Sequence, residues 1–264
     1  MGTKITETLR FCREITVVLC VSLFFLSSCL TSPSTTKQPQ LIVSAAISLK
    51  EALSEIATDF EKSENCKVTY NYASTGELAA QLRNGAPVDV FVSASMRLID
   101  QLTSNNIIKR KSVSKIAGNK LVLISSKKQL NSIEDLRNAQ NVSIGNPQTV
   151  PAGTHAEQAL KQYGLYEELL QKRKLVFAEN ARQVLTYVEQ GDVEAGIVYN
   201  TDANLCSRCK IGFSIPESAS GQVVYEAGIV SASKSEILAQ RFLDRLRSPA
   251  ARKIFKAKGF VLNE

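Results

Sequence analysis

The segment Leu41–Phe60 reads LIVSAAISLKEALSEIATDF, and the rest of the chain can be laid out from it. Leu41, Ile42 and Val43 form an apolar, β-branched-rich opening suited to a strand buried on both faces. Ser48 stands three residues before Glu51, the spacing of a capping box, which predicts a helix entered at Ser48. Leu49, Ala52, Leu53, Ile56, Ala57 and Phe60 then keep the i, i+3, i+4 rhythm of one helix face. Strand, tight turn and capped helix therefore follow one another without a break. Such a helix entrance gathers unpaired N–H groups and carries about half a positive charge, which favours anions.

The same unit recurs downstream. Lys67–Tyr72 predicts a strand, and Ser74-Thr75-Gly76-Glu77 starts a second capped helix through Leu78, Ala79 and Leu82, closed by Gly85-Ala86-Pro87. Val88–Val92 predicts a strand, and Ser95 caps a helix holding Leu98, Ile99 and Leu102. Leu121–Ile124 is the next strand, followed by a short helix from Ser132 with Asp135 in the box position. Val142–Ile144 leads into a turn at Gly145-Asn146-Pro147. Pro151 occupies a first helical position, where a missing N–H costs nothing, and opens a helix through Tyr163. Leu175–Phe177 reads as a strand, and Asn180 with Gln183 three residues on caps a helix bearing Ala181, Val184, Leu185 and Val188. Gly196–Tyr199 and Val223–Ser231 are further strands; helices follow from about Glu236 to Arg247 and from Pro249 to Lys258, the second stopped by Gly259.

Alternating strands and helices predict an α/β protein of mostly parallel sheets flanked by helices. In such sheets ligands sit beyond the carboxyl ends of strands, where helix entrances gather. The sequence contains no internal repeat, no G-x-G-x-x-G and no G-x-x-x-x-G-K-[ST], so no nucleotide fingerprint.

At 264 residues and 44% hydrophobic content, the chain can bury a core of one large or two small domains. Residues 1–28 read as a signal peptide: Lys4, Arg10 and Arg13 precede an apolar run, Ile15–Leu26, too short to span a bilayer. The run ends in Leu26-Ser27-Ser28-Cys29, which resembles the bacterial lipobox, with Cys29 lipidated as the mature N-terminus. A plain secretory signal cleaved near Ser27 is the other reading. Residues 29–40, rich in Ser, Thr and Pro, read as a tether.

The leader holds Lys4, Arg10 and Arg13 against Glu7 and Glu14, a net +1, so the remainder keeps +6 of the formal +7. A basic balance raises nucleic acid as a partner. Here the basic residues fall in short runs, Lys109-Arg110-Lys111, Lys127-Lys128 and Lys172-Arg173-Lys174, without interleaved aromatics, and read as solvated surface. No nucleic acid is expected. Beyond the leader and Cys29 the cysteines are Cys66, Cys206 and Cys209. Outside the cytoplasm a C-x-x-C reads as a small disulfide between Cys206 and Cys209, with free thiols as the alternative. A zinc site would need two more ligands, and Cys66 and His155 are the ones on offer.

Four turns stand out, each after an apolar strand and each opening a helix: Ala46-Ile47-Ser48, Ala73-Ser74-Thr75-Gly76, Val150-Pro151-Ala152-Gly153 and Glu179-Asn180-Ala181-Arg182. With the segments AAISLKEAL, GAPVDVFVSA, GNPQTVPAGTHAEQAL, ENARQVLTYVEQGD and GIVYNTDA in that order, the chain from about Leu41 to Phe260 resembles the periplasmic molybdate-binding proteins of ABC transporters. The resemblance implies a two-lobed type II periplasmic-binding-protein fold with a hinge between the lobes. Lobe 1 would comprise 40–118 plus 225–264, and lobe 2 119–224. It also implies a monomeric, non-enzymatic receptor, without a cofactor, that closes on molybdate or tungstate and serves a permease and its cytoplasmic ATPase. Carried over position by position, the hydroxyls of Ser48 and Thr75, the backbone N–H groups of Ala152 and Ala181 and the phenol of Tyr199 would hold the oxyanion. Metal would enter only inside that oxyanion, with no site for a free cation. Thr75 stands where the family usually has serine, and Ala181 where it has a larger apolar residue.

The chemistry of the residues fits this independently. A fully deprotonated oxyanion offers only acceptors, so its site needs only donors, whereas phosphate keeps a proton near neutrality and wants a carboxylate acceptor. Glu51, Glu77 and Glu179 are accounted for as helix-start residues, which disfavours phosphate. Two other readings stand beside this one: a receptor for another oxyanion such as sulfate, and a lipid-anchored hydrolase with Ser48 as nucleophile. Against the hydrolase stands the lack of a G-x-S-x-G elbow.

Overall fold

The computed structural model describes residues 38–262. The expected signal peptide (1–28), the lipidation site Cys29 and the tether as far as residue 37 lie outside the described residues. The chain begins β1 (Gln40–Ala46), a 3-10 turn (Ile47–Leu49), α1 (Lys50–Glu64), β2 (Lys67–Ala73), α2 (Thr75–Arg83), β3 (Val90–Ser93), α3 (Met96–Ser104) and β4 (Ser114–Asn119). It continues β5 (Leu121–Ser125), a 3-10 segment (Ile133–Asn138), β6 (Val142–Gly145), α4 (Pro151–Gln162), α5 (Tyr166–Gln171), β7 (Leu175–Ala178), α6 (Ala181–Gln190), β8 (Ala195–Tyr199) and α7 (Asn200–Ala203). Then come β9 (Lys210–Ile215), α8 (Glu217–Ser220), β10 (Val223–Ile229), α9 (Glu236–Arg247) and α10 (Pro249–Ala257).

The strands form two five-stranded sheets, ordered β2-β1-β3-β10-β4 and β7-β6-β8-β5-β9. β1 runs parallel to β2 and β3, and β6 parallel to β7 and β8. One strand in each sheet is reversed: β10 is antiparallel to β3 and β4, and β5 to β8 and β9. Both sheets are therefore mixed, with most strands sharing one direction. The reversed strand is in each case the one entered directly from the other sheet, β5 through Lys120 and β10 through residues 216–222, which include the single turn α8. Neither pass is as long as the crossover of a dozen or more residues that joins parallel strands of one sheet. The two passes also make the two-lobed arrangement, each lobe a sheet flanked by its helices.

The opening unit shows how the first lobe is packed. Leu49, Leu53, Ile56 and Phe60 share one face of α1 and are all buried, and side chains of this kind contribute about 1.5–3 kcal/mol each. α1 stops at Asn65, whose left-handed φ of 46° closes the helix. The C-terminal helices return to the same place: Phe242 of α9 meets Phe60 edge-on at 5.1 Å between ring centroids. The two C-terminal helices are thereby recruited to the lobe in which the described chain begins.

Most helix starts follow the local signals. Ser74, Ser95 and Asn180 accept from the backbone N–H groups of Glu77, Leu98 and Gln183. Ser132 and Asp135 form the capping box, though it opens a 3-10 segment instead of an α-helix. The expectation for Ser48 requires correction. Ser48 lies inside the 3-10 turn, α1 is capped by Leu49 without any side-chain hydrogen bond, and the extended residue is Ala46. The chain begins to wind before Ser48, which frees its hydroxyl for a partner far away in sequence, Tyr225. β4 and β9 carry no apolar run in SKIAGN and KIGFSI and were not expected as strands.

The sulfurs of Cys206 and Cys209 are bonded, and Cys66 is a buried free thiol. Thiol titration of denatured, unreduced protein beginning at Leu30 is expected to read one thiol, from Cys66, and three after reduction. Three before reduction would refute the bond.

Candidate functional site

The carboxyl ends of β1, β2, β6, β7 and β8 converge between the lobes, and the helices that follow point their entrances into the gap. Ser48 follows β1, Thr75 opens α2, Ala152 is the second residue of α4, Ala181 opens α6 and Tyr199 ends β8. The structure brings all five onto one small cavity, with Ala46, Ser74, Ala94, Pro151 and Asn180 among the residues that complete its wall. Each of the five is at most 5% exposed, so a ligand there would be stripped of bulk water. Ser48 and Thr75 come from the first lobe, Ala152, Ala181 and Tyr199 from the second.

Local sequence explains each placement. Ala152 and Ala181 lie in first helical turns, whose N–H groups have no acceptor within the helix. Pro151 fixes the entry of α4, and Gly153 lets it approach β6: a Cβ at Gly153 would stand 2.0 Å from the Gly145 carbonyl oxygen. The Thr75 Oγ1 accepts from the Ala94 N–H at 3.1 Å, which leaves its own hydrogen to donate. The Tyr199 hydroxyl is buried without a hydrogen-bond partner. Burial, then the neighbouring Tyr225 and Asp202, push its pKa well above the usual phenol range, so it keeps its proton. No charged side chain lines the cavity.

Several functional neighbours were not visible in the sequence. Gly76 donates its N–H across the gap to the Thr149 carbonyl at 3.0 Å. Arg182, next to Ala181, turns away from the cavity and donates to both carboxylate oxygens of Glu51 in the first lobe, at 3.2 and 3.0 Å. Its Nε lies 3.3 Å from Oδ1 of the fully buried Asp202, close enough for an ion pair but not aligned as a hydrogen bond. Desolvation pushes the Asp202 pKa up to about 7, against the pull of Arg182. Glu51, read from its spacing as a helix-start residue, thus also bridges the lobes. Behind Ser48, Tyr225 Oη lies 2.9 Å from its Oγ, and Asn119 Nδ2 donates to Tyr225 Oη at 3.1 Å.

The nucleophile reading finds no partner here. Ser48 meets a phenol, and the His155 Nδ1 lies 2.7 Å from the Ser220 carbonyl, to which it donates because a carbonyl can only accept. Burial holds the His155 pKa below its ordinary value. Among the described residues no group of three or more His, Cys, Asp or Glu is placed to hold a metal ion.

A buried cavity without a charged wall, met from both lobes by helix entrances and hydroxyls, offers hydrogen-bond donors that suit a small anion. The family model for bacterial extracellular solute-binding proteins matches residues 41–261. The chain belongs to this family. Among solute-binding proteins it is 34% identical over 239 residues to a putative ABC transporter substrate-binding lipoprotein, YvgL, of Bacillus subtilis, covering 89% of this chain and 91% of that one. It is 32% identical to the molybdate-binding protein ModA of Escherichia coli, over 84% of this chain and 89% of that one. The periplasmic molybdate-binding protein of Azotobacter vinelandii superposes with a TM-score of 0.78 at 28% identity, over 85% of this chain and all of that one. The two-lobed architecture of this solute-binding protein is thus the one found in those receptors.

Proposed function

We propose that the protein is the lipid-anchored receptor of an ABC importer, capturing molybdate, and tungstate, between its lobes and presenting the closed form to a membrane permease driven by a cytoplasmic ATPase. The observation that carries the reading is the donor set: the Ser48, Thr75 and Tyr199 hydroxyls and the N–H groups of Ala152 and Ala181 around one cavity without a charged wall. Burying a bare dianion would cost tens of kcal/mol. Each charge-assisted hydrogen bond offsets about 1.5–3 kcal/mol and each helix entrance about 0.3–2 kcal/mol. Micromolar binding corresponds to about −8 kcal/mol, the scale that several such net contributions reach together.

Because the donors are divided between lobes, the anion acts as a bridge and shifts the hinge equilibrium toward closure. The protein itself carries out no reaction on the anion. The expected export signal and Cys29 would hold it, as a monomer, at the outer face of a membrane, within reach of the permease; its relatives named as transporter receptors support that role.

Calorimetric titration with molybdate, tungstate, sulfate and phosphate in parallel tests the reading. Micromolar or tighter binding is expected for the first two, with weaker binding of sulfate and the weakest of phosphate. Small-angle scattering should show compaction on saturation with molybdate. Absence of molybdate binding would overturn the proposal.

A further inference from the structure

Ser48 is the one cavity hydroxyl whose hydrogen-bonding direction is set by a chain of other residues, and that chain has a definite polarity. It starts at Asn119, at the end of β4 and 1% exposed. The Lys120 backbone N–H donates to Asn119 Oδ1 at 2.9 Å, which fixes which end of the amide is the acceptor. Both Nδ2 hydrogens are then donors, one to Thr201 Oγ1 at 2.9 Å and one to Tyr225 Oη at 3.1 Å. Tyr225 is fully buried, and its hydroxyl hydrogen cannot return to an amide nitrogen that has no lone pair to offer. Its remaining partner is Ser48 Oγ at 2.9 Å. Leaving a buried hydroxyl hydrogen unpaired is costly, so Tyr225 donates and Ser48 accepts. The Ser48 hydrogen is thereby released toward the cavity. Thr75 is set the same way in one step, by the Ala94 N–H.

We infer that Tyr225, oriented by Asn119, is a specificity-determining residue: it fixes Ser48 as a proton donor and so selects oxyanions that carry no proton over those that do. The inference rests on the molybdate reading and deepens it. A hydrogen phosphate dianion must place its own O–H against an acceptor, and this relay occupies one Ser48 lone pair with Tyr225 and turns the Ser48 hydrogen toward the cavity, where it opposes an incoming O–H. Hinge and site are linked by the same residues, since Asn119 also holds Thr201 of the second lobe.

The test is a calorimetric double-mutant cycle on the purified protein with Tyr225→Phe, Ser48→Ala and the double variant, each titrated with molybdate and with hydrogen phosphate as its competitor. Phenylalanine keeps the ring that packs edge-on against Tyr199 and Phe260 at 6.0 and 5.4 Å. Tyr225→Phe is expected to weaken molybdate binding about tenfold and narrow the molybdate-to-phosphate ratio, the loss of about one oriented hydrogen bond. In the Ser48→Ala background the same change should cost less than about twofold. Equal losses in both backgrounds, or an unchanged ratio, would overturn the relay.

Asn119→Asp supplies a second arm should Tyr225→Phe not fold. A carboxylate cannot donate, so Tyr225 would donate to residue 119 and Ser48 to Tyr225, turning a Ser48 lone pair to the cavity. The added charge repels both dianions alike, so the ratio isolates the reversal; a fall of about tenfold supports the relay and an unchanged ratio refutes it. If the wild-type protein fails to bind molybdate, the function proposal falls; if it binds and the losses are additive, only the relay does.

Discussion

Gly76→Ala is expected to abolish micromolar binding of the proposed ligand while leaving both lobes folded. A Cβ at Gly76 would stand 2.4 Å from the Thr149 carbonyl oxygen, 2.8 Å from its Cα and 2.9 Å from its carbonyl carbon. All three are backbone atoms, so no side-chain rotation can relieve the clash. Thr149 precedes α4 in the second lobe and Gly76 lies in α2 of the first, so the relief available is to separate the lobes. Roughly 1 Å of separation stretches hydrogen bonds near 2.9 Å beyond the working range. An anion held by the first lobe then loses its bonds to Ala152, Ala181 and Tyr199. At about 1.5–3 kcal/mol each, even two lost bonds weaken binding by roughly a hundredfold or more. Gly76 lies within a helix, where alanine is favoured by about 0.5–1 kcal/mol. The unliganded melting temperature should therefore hold or rise while the molybdate-induced rise disappears. Wild-type affinity in this variant would show that the lobes need not approach so closely to bind.

Arg182→Met should cost stability in a pH-dependent way. Asp202 is fully buried and its oxygens have no hydrogen-bond partner, so the Arg182 guanidinium at 3.3 Å is what its negative charge faces. Removing one member of a buried pair costs about 3–5 kcal/mol when the other must stay charged, and less here, where the carboxyl can take up a proton instead. The bond from Arg182 to Glu51 adds little, because both side chains remain partly exposed. The folded-state pKa of Asp202, about 7, lies above its ordinary value of 3.8. The folded protein therefore binds more protons than the unfolded chain between those values, and stability from this group falls as pH rises through that window. Denaturant unfolding at pH 5, where Asp202 is neutral in the folded state, should show a small loss for Arg182→Met. At pH 8, one unit above that pKa, the loss should be larger by up to about 1.4 kcal/mol, because without Arg182 the buried carboxyl keeps its proton. Asp202→Asn should flatten the wild-type decline from pH 5 to pH 8. Equal losses at both pH values would place the role of Arg182 elsewhere.

The candidate site was legible to the extent that it is made of helix entrances. Ser74, Ser95 and Asn180 cap because a short polar side chain reaches an N–H three residues ahead, and Pro151 marks a first turn because its ring suits that backbone. Those signals put Thr75, Ala152 and Ala181 in first helical turns, while their roles toward an oxyanion came from the family resemblance. Ser48 shows the limit of the same reasoning. Its spacing to Glu51 imitates a capping box, but a 3-10 turn starts ahead of it and Tyr225 takes its hydroxyl. β5 and β10 were expected as strands but their reversal was not, because direction depends on how the chain enters a sheet, and an apolar run looks the same read either way.

By itself the sequence determined the alternation of strands and helices, the capped entrances, the C-terminal helices and a donor-only set of residue types, since each depends on side chains a few residues apart. The tertiary structure alone decided which entrances face one another and what stands behind them. Tyr225 reaches Ser48 over 177 positions, Arg182 reaches Glu51 over 131, and Asn119 reaches Tyr225 over 106. Contacts at such separations leave no periodicity or spacing in the chain; they exist because two sheets bring their strand ends together, and proton direction and lobe closure are settled there.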